Sequence, residues 1–145
     1  MENLFFGNYS HSLDEKNRLV IPRKMREQLG SKVFIMKGFD GALSIYHGSA
    51  FNKLVEQLEK LQFNHKKERD YLRIQLASVV ELEFDRLGRI IIPSQLLNKY
   101  RIGKDVLIVG VGDHIEVWNQ TLYEEYAKSV EQSFEEIAEE IGKVE

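Results

Sequence analysis

The sequence predicts an α+β protein built from two internal ββαββ repeats, with linking helices between them and a C-terminal helix after them. Two observations carry that prediction. A nine-residue phrase (Asp, three variable residues, Arg, three branched aliphatics, Pro) occupies residues 14–22 and recurs at 85–93, a shift of 71. The residues beyond the phrase repeat as well. Val33-Phe34-Ile35-Met36 answers Val106-Leu107-Ile108-Val109, Leu43, Ile45 and Tyr46 answer Ile115, Val117 and Trp118, and Phe51 answers Tyr123. A unit this long, present twice, makes a pseudo-symmetric pair and not a solenoid array.

In chain order, residues 4–12 mix aromatic and polar side chains and suit a first strand. Residues 14–17 have the composition of a tight turn, since Asp accepts backbone amides ahead of it and Asn tolerates positive φ. The aliphatic stretch 18–21 reads as a strand, so strand, turn and strand predict a local hairpin. Pro22 ends that strand and opens a short helix through Lys24, Met25, Arg26 and Leu29, stopped by Gly30. Strands over 32–36 and 42–46, joined by a turn at 38–41, complete a first repeat at 4–48.

A helical connector spans 49–78. Phe51, Leu54, Val55, Leu58 and Leu61 lie at helical spacing behind Ser49, a candidate N-cap, and a second helix runs over 70–77 after a polar, basic stretch at 64–69. Residues 79–84 alternate apolar and acidic side chains, the mark of a strand with one exposed face. The second repeat, 79–118, then carries Gly88 where the first has Asn17, a helix opened by Pro93 and closed by Gly103, and strands over 106–109 and 114–118. Residues 119–145 form one amphipathic helix, with Tyr126, Val130, Phe134, Ile137 and Ile141 on its apolar stripe and Glu on the other face. The whole chain, 1–145, reads as one pseudo-symmetric domain.

Composition narrows the function classes. The chain has no cysteine, which excludes a disulfide scaffold and a thiolate metal site and fits a reducing cytosol. No stretch approaches the ~20 apolar residues of a membrane span, and the N-terminus lacks a signal-peptide pattern, so a cytoplasmic protein without membrane contact is expected. The net charge of −3 is unevenly spread: residues 119–145 hold eight Glu against two Lys, leaving +3 over residues 1–118. An acidic total is therefore compatible with a local basic surface, because screening over ~8 Å makes nearby charges count most.

Catalysis finds little support. The four His are scattered, and there is no nucleophile motif or phosphate-binding Gly loop. His114 and Glu116 share a strand face and form the one candidate ligand pair, a pattern that more often is a sheet-surface polar pair. No cofactor or metal is expected.

Asp14 with Arg18, and Asp85 with Arg89, admit two readings. In one, Asp caps the turn and Arg merely pairs with it. In the other, Asp orients an Arg that is presented to phosphates or base edges, for which its planar bidentate donors are suited. Arg recurs at the same place while its neighbours drift (Lys16 against Leu87, Glu15 against Arg86), and a turn can be built without it. Lys16, Arg23, Lys24 and Arg26 surround the first phrase; Arg86, Lys99, Arg101 and Lys104 surround the second.

The run Phe6-Gly7-Asn8-Tyr9-Ser10-His11-Ser12-Leu13-Asp14-Glu15-Lys16-Asn17-Arg18-Leu19-Val20-Ile21-Pro22 resembles the opening of the MraZ family, and residues 85–93 resemble its second repeat. The likeness covers essentially the whole chain. It implies a double-split β-barrel related to the AbrB and MazE swapped-hairpin proteins. It further implies a nucleoid-associated transcriptional regulator, commonly a repressor of the division and cell-wall gene cluster, that binds short direct repeats in double-stranded DNA and assembles into a homo-oligomeric ring. The family's DNA-contacting Arg falls on Arg18 and Arg89, with Asp14 and Asp85 as the paired acidic positions, Asn17 and Gly88 shaping the turns, and Lys16, Arg86, Arg23 and Lys24 as flanking cations. Asn17 departs from the Gly usual at its position. The alternative class is an oligomeric, antitoxin-like protein-interaction module without specific DNA readout.

Overall fold

The computed structural model describes residues 4–144; the expected domain limits at residues 1 and 145 lie outside them. The first half comprises β1 (Asn8–Ser12), β2 (Arg18–Val20), α1 (Arg23–Leu29), β3 (Lys32–Lys37), β4 (Leu43–His47), α2 (Gly48–Glu59) and α3 (Lys66–Ala77). The second comprises β5 (Val80–Glu83), β6 (Arg89–Ile91), α4 (Ser94–Lys99), β7 (Asp105–Gly110), β8 (Ile115–Asn119), α5 (Gln120–Glu131) and α6 (Phe134–Val144). The two halves match element for element, helical pairs included.

Strand pairing departs from the local hairpin expected of residues 8–21. The turn forms, but β1 pairs with β7 and β2 pairs with β6, so both strands find partners in the other half. The reason lies at Leu13, which is buried and donates its amide to the carbonyl of Lys104 at 2.9 Å, drawing the chain out of a simple hairpin. The result is an antiparallel six-stranded sheet, ordered β1-β7-β8-β4-β3-β5, and a separate two-stranded ribbon, β2-β6. No strand pairing among the described residues closes these into a barrel.

Both registers are symmetric under the repeat. Leu19 faces Ile90 at the centre of the ribbon, and Ser44 faces Glu116 at the centre of the sheet, so a pseudo-twofold axis passes through both pairs. Leu19, Ile21, Ile90 and Ile92 point from the ribbon into the main core, where they meet Val33, Ile35, Ile45, Val106, Ile108 and Val117 from one face of the sheet. Met25 and Leu29 of α1 and Leu97 of α4 close the sides of that core. The opposite face of the sheet packs on α2 through Met36, Tyr46 and Ala50, and on α5 through Trp118 and Tyr123. Strands covered on both faces read as unbroken apolar runs, whereas the edge strand β5 alternates, as its acidic positions are exposed.

Several boundaries differ from expectation. β1 is shorter than 4–12, because Gly7 takes a φ of 79° and Phe5 contributes only an isolated bridge to Gly112. The helix after Ser49 begins at Gly48, and the Ser49 hydroxyl lies 3.0 Å from Nδ1 of His47 without capping the helix. Helix α3 starts at Lys66, four residues early, with Lys66 and Asp70 paired one turn apart at 2.9 Å. The helix after Pro93 ends through Arg101, whose φ of 55° does at that position what Gly30 does in the first half, and not through Gly103. The C-terminal stretch, expected as one helix, breaks at Gln132 and Ser133 into α5 and α6.

Candidate nucleic-acid interface

Each phrase folds into the same turn with its Asp as the hub. Oδ1 of Asp14 accepts the amides of Lys16 and Arg18, both at 2.9 Å, while Oδ2 accepts Nε of Arg18. Oδ1 of Asp85 accepts the amides of Leu87 and Arg89, again at 2.9 Å, and Oδ2 accepts Nε of Arg89 at 2.7 Å. The main chain closes both loops alike, the Asp amide donating to the Arg carbonyl. Asn17 and Gly88 take φ values of 61° and 75°, so Asn reproduces the left-handed conformation that Gly adopts freely.

Burial pushes the Asp14 carboxyl up, but bonds from the amide and guanidinium of Arg18 and the amide of Lys16 outweigh it and hold it below the usual range. At Asp85 the Arg89 amide leads the same downward shift, against burial and with help from the Arg89 guanidinium and the Leu87 amide. Both carboxylates are thus ionised at neutral pH, and each anchors its Arg through Nε by a charge-assisted bond. The Nη groups, which carry the bidentate donors, have no hydrogen-bond acceptor among the described residues.

The ribbon brings the two arginines together. Ile21 donates to the carbonyl of Gly88 and Ile92 to that of Asn17, at 3.3 and 3.0 Å, so each turn is clipped by the strand of the other repeat. These bonds fix the hydrogen-bonded positions. Arg18 opposite Ile91 and Val20 opposite Arg89 therefore occupy the narrow positions between them, where Cα atoms approach to ~4.5 Å and side chains lie close. Since alternate residues share a face, Arg18, Val20, Arg89 and Ile91 all point away from the core. The arginines sit on a diagonal of this face, their Cα atoms roughly 7–8 Å apart.

The other expected cations are dispersed. Lys16 and Arg86 are exposed on the two turns. Arg23 pairs with Glu27 at 3.1 Å on the outer side of α1, and Lys24 borders a small hollow with Phe6, Tyr9 and Gln28 beside the N-terminal segment. Arg26, grouped by sequence with the first phrase, reaches the second: its guanidinium lies over Gly88, in space that a Cβ there would overlap. His114 bonds through Nδ1 to Asp113 at 2.7 Å and stacks on Tyr46, while Glu116 accepts from Nε1 of Trp118 at 2.9 Å. Sequence reasoning passed over Val20 and Ile91 on the ribbon's outer face; the period-two alternation of Arg-Leu-Val-Ile and Arg-Ile-Ile-Ile was the signal for them.

Comparison with known proteins agrees with this duplicated arrangement. A family model described as "MraZ protein, putative antitoxin-like" matches residues 4–74 and again 76–143, so each match runs through its first helix of the pair and into the second. The protein named transcriptional regulator MraZ from Caldanaerobacter subterraneus subsp. tengcongensis is 42% identical over 138 residues, 95% of this chain and 96% of its own. Its namesake from Mesoplasma florum is 43% identical over 139 residues, 95% of each chain, and that from Pediococcus pentosaceus is 39% identical over 138 residues, 95% of this chain and 96% of its own. With both halves matched and the likeness running nearly end to end, the chain belongs to the MraZ family.

Proposed function

We propose that the chain is a transcriptional regulator, not an enzyme, that reads the major groove of double-stranded DNA with the β2–β6 ribbon. The observation that carries this reading is the pair of half-buried arginines on one outward face, each held at Nε by its own Asp, with no acceptor for either Nη group among the described residues. The major groove admits a two-stranded ribbon, and Arg pairs bidentately with O6 and N7 of guanine. Lys16 and Arg86, on the flanking turns, are suited to phosphates.

Family resemblance extends the reading to short tandem direct repeats upstream of the division and cell-wall genes, to repression, to the nucleoid and to a ring of subunits. The exchange of β1, β2, β5 and β6 between halves supports the double-split arrangement. Self-association is supported by α6, where Phe134, Ile137 and Ile141 leave 66%, 41% and 62% of their surface exposed on one stripe. One chain with a charge of +3 outside its acidic tail grips DNA weakly, whereas several ribbons on matched repeats multiply their effective concentration.

Arg18→Ala and Arg89→Ala test the proposal in fluorescence anisotropy with duplexes carrying one or several repeats, beside size-exclusion chromatography. Asp14 keeps its two amide bonds without the guanidinium, so fold and assembly should persist while DNA affinity falls at least tenfold. Each phosphate contact should add ~0.9 to the salt slope. Undiminished DNA binding, or loss of the oligomer instead, would favour a protein-interaction module.

A further inference from the structure

Two residues on the ribbon's outer face have no task in the fold. Val20 and Ile91 leave 40% and 59% of their surface to solvent, while Leu19, Ile21, Ile90 and Ile92 beside them are buried in the core. A single exposed aliphatic residue needs no explanation. Here, however, the outer face has four positions in register: two hold the arginines, and both others hold β-branched aliphatics where a polar residue would keep the strand equally well. Val20 lies directly across from Arg89, and Ile91 directly across from Arg18.

Their depth relative to the arginines matters. An extended Arg would stand well beyond Val or Ile and keep both off any surface it touched. In this structure each Nε is bound to the carboxylate of the Asp four residues earlier, so the guanidinium is held back toward its own turn. The aliphatic tips can then reach the surface that the Nη groups reach. On the floor of the major groove, beside the acceptors of guanine, the apolar group on offer is the C5-methyl of thymine. We infer that Val20 and Ile91 are specificity-determining contacts for thymine C5-methyl groups next to the bases read by Arg89 and Arg18. The inference rests on the major-groove reading above and adds to it a second chemical class of contact, supplied by residues from both repeats.

The full-length protein is first used to select a duplex from random-sequence DNA. The selected duplex is then made twice, once with thymine and once with 2′-deoxyuridine at every thymine position, so that only methyl groups differ. Wild-type protein should lose about fourfold in affinity for each methyl contact removed. The Val20→Ser/Ile91→Ser variant should bind both duplexes equally. Val20→Thr/Ile91→Thr, which keeps β-branching and one methyl at each site, serves as a check on ribbon integrity and should retain part of the discrimination. Equal wild-type affinity for the two duplexes overturns the inference, as does a thymine preference that the Ser variant keeps undiminished, since the methyl would then act through DNA shape or another contact. Failure of selection to yield any tight duplex counts against the major-groove reading itself, and so is distinguishable from failure of the methyl contact.

Discussion

Replacing Gly88 by Ala separates two roles that one glycine fills. The first is conformational: with φ at 75°, Ala pays about 1–2 kcal/mol to hold the left-handed region. The second is spatial, because the new Cβ would overlap the Arg26 guanidinium and lie 2.9 Å from Cδ of Arg26. The overlapped atoms form the far end of a flexible side chain, which rotates aside without moving the backbone. The conformational cost therefore dominates stability. At roughly 2–4 °C per kcal/mol for a chain near this length, Gly88→Ala should lower Tm by about 2–8 °C.

Thermal unfolding followed by circular dichroism on wild type, Gly88→Ala, Arg26→Ala and the double variant resolves the two roles. Protein concentration must be fixed, since the proposed self-association would make Tm depend on it. If Arg26 fills the space over the turn, Gly88→Ala should cost less in the Arg26→Ala background, by about 0.5 kcal/mol or more. Gly88→Asn adds a Cβ while tolerating positive φ, as Asn17 does in the first turn, and should melt above Gly88→Ala. A Tm for Gly88→Ala within about 1 °C of wild type would refute the left-handed requirement, given the larger shift expected from that cost. Equal cost in both backgrounds would refute the placement of Arg26.

The same geometry makes three further predictions. Leu19→Ala should cost about 2–5 kcal/mol in urea unfolding, as an inward ribbon residue that is fully buried, whereas Val20→Ser should cost under ~1 kcal/mol; similar costs would contradict the assigned faces. Asp14 and Asp85 are held below the ordinary aspartate value of 3.8, so the stability they supply is complete above that value and is lost as pH falls through their lower folded values. Tm measured from about pH 5 to pH 2 should accordingly fall more steeply for wild type than for Asp14→Asn/Asp85→Asn, and parallel curves would remove these turns from the acid response. Phe134→Asp/Ile141→Asp should reduce the mass measured by light scattering and erase the advantage of multi-repeat DNA, with the circular dichroism spectrum unchanged. An unaltered mass would show that α6 is not the surface used for assembly.

Much of the architecture was legible because each repeat signals its elements through local chemistry. Asp14 and Asn17 announce a turn, Pro22 and Gly30 bracket a helix, and the aliphatic runs at 33–36 and 106–109 announce strands. The exchange of partners was not legible from the residues themselves. A turn closed by an Asp carboxylate serves a hairpin and an exchanged strand equally well, and the choice is made by distant contacts such as the Leu13 amide on the Lys104 carbonyl. Arg26 was misplaced for the same reason, since its guanidinium belongs to a turn more than sixty residues away in sequence.

The break before α6 was hidden for a different reason. Val130 and Phe134 keep the four-residue step across it, so the apolar period runs on although the helix does not. Ser133 with Glu136 three residues later has the spacing of a capping box, and that pattern marked the new start. The repeat sharpens the same point. Because α2 and α3 come after the first sheet hairpin as α5 and α6 come after the second, two helices were the expectation that the duplication itself carried. The halves then part company in what those helices face: α3 is tied to the sheet by Gln75, whose Nε2 donates to the carbonyl of Lys37 at 2.8 Å, and leads on into β5. Helix α6 takes no such course and keeps its apolar stripe exposed, which is where pseudo-symmetry within one chain leaves a surface open to symmetry between chains.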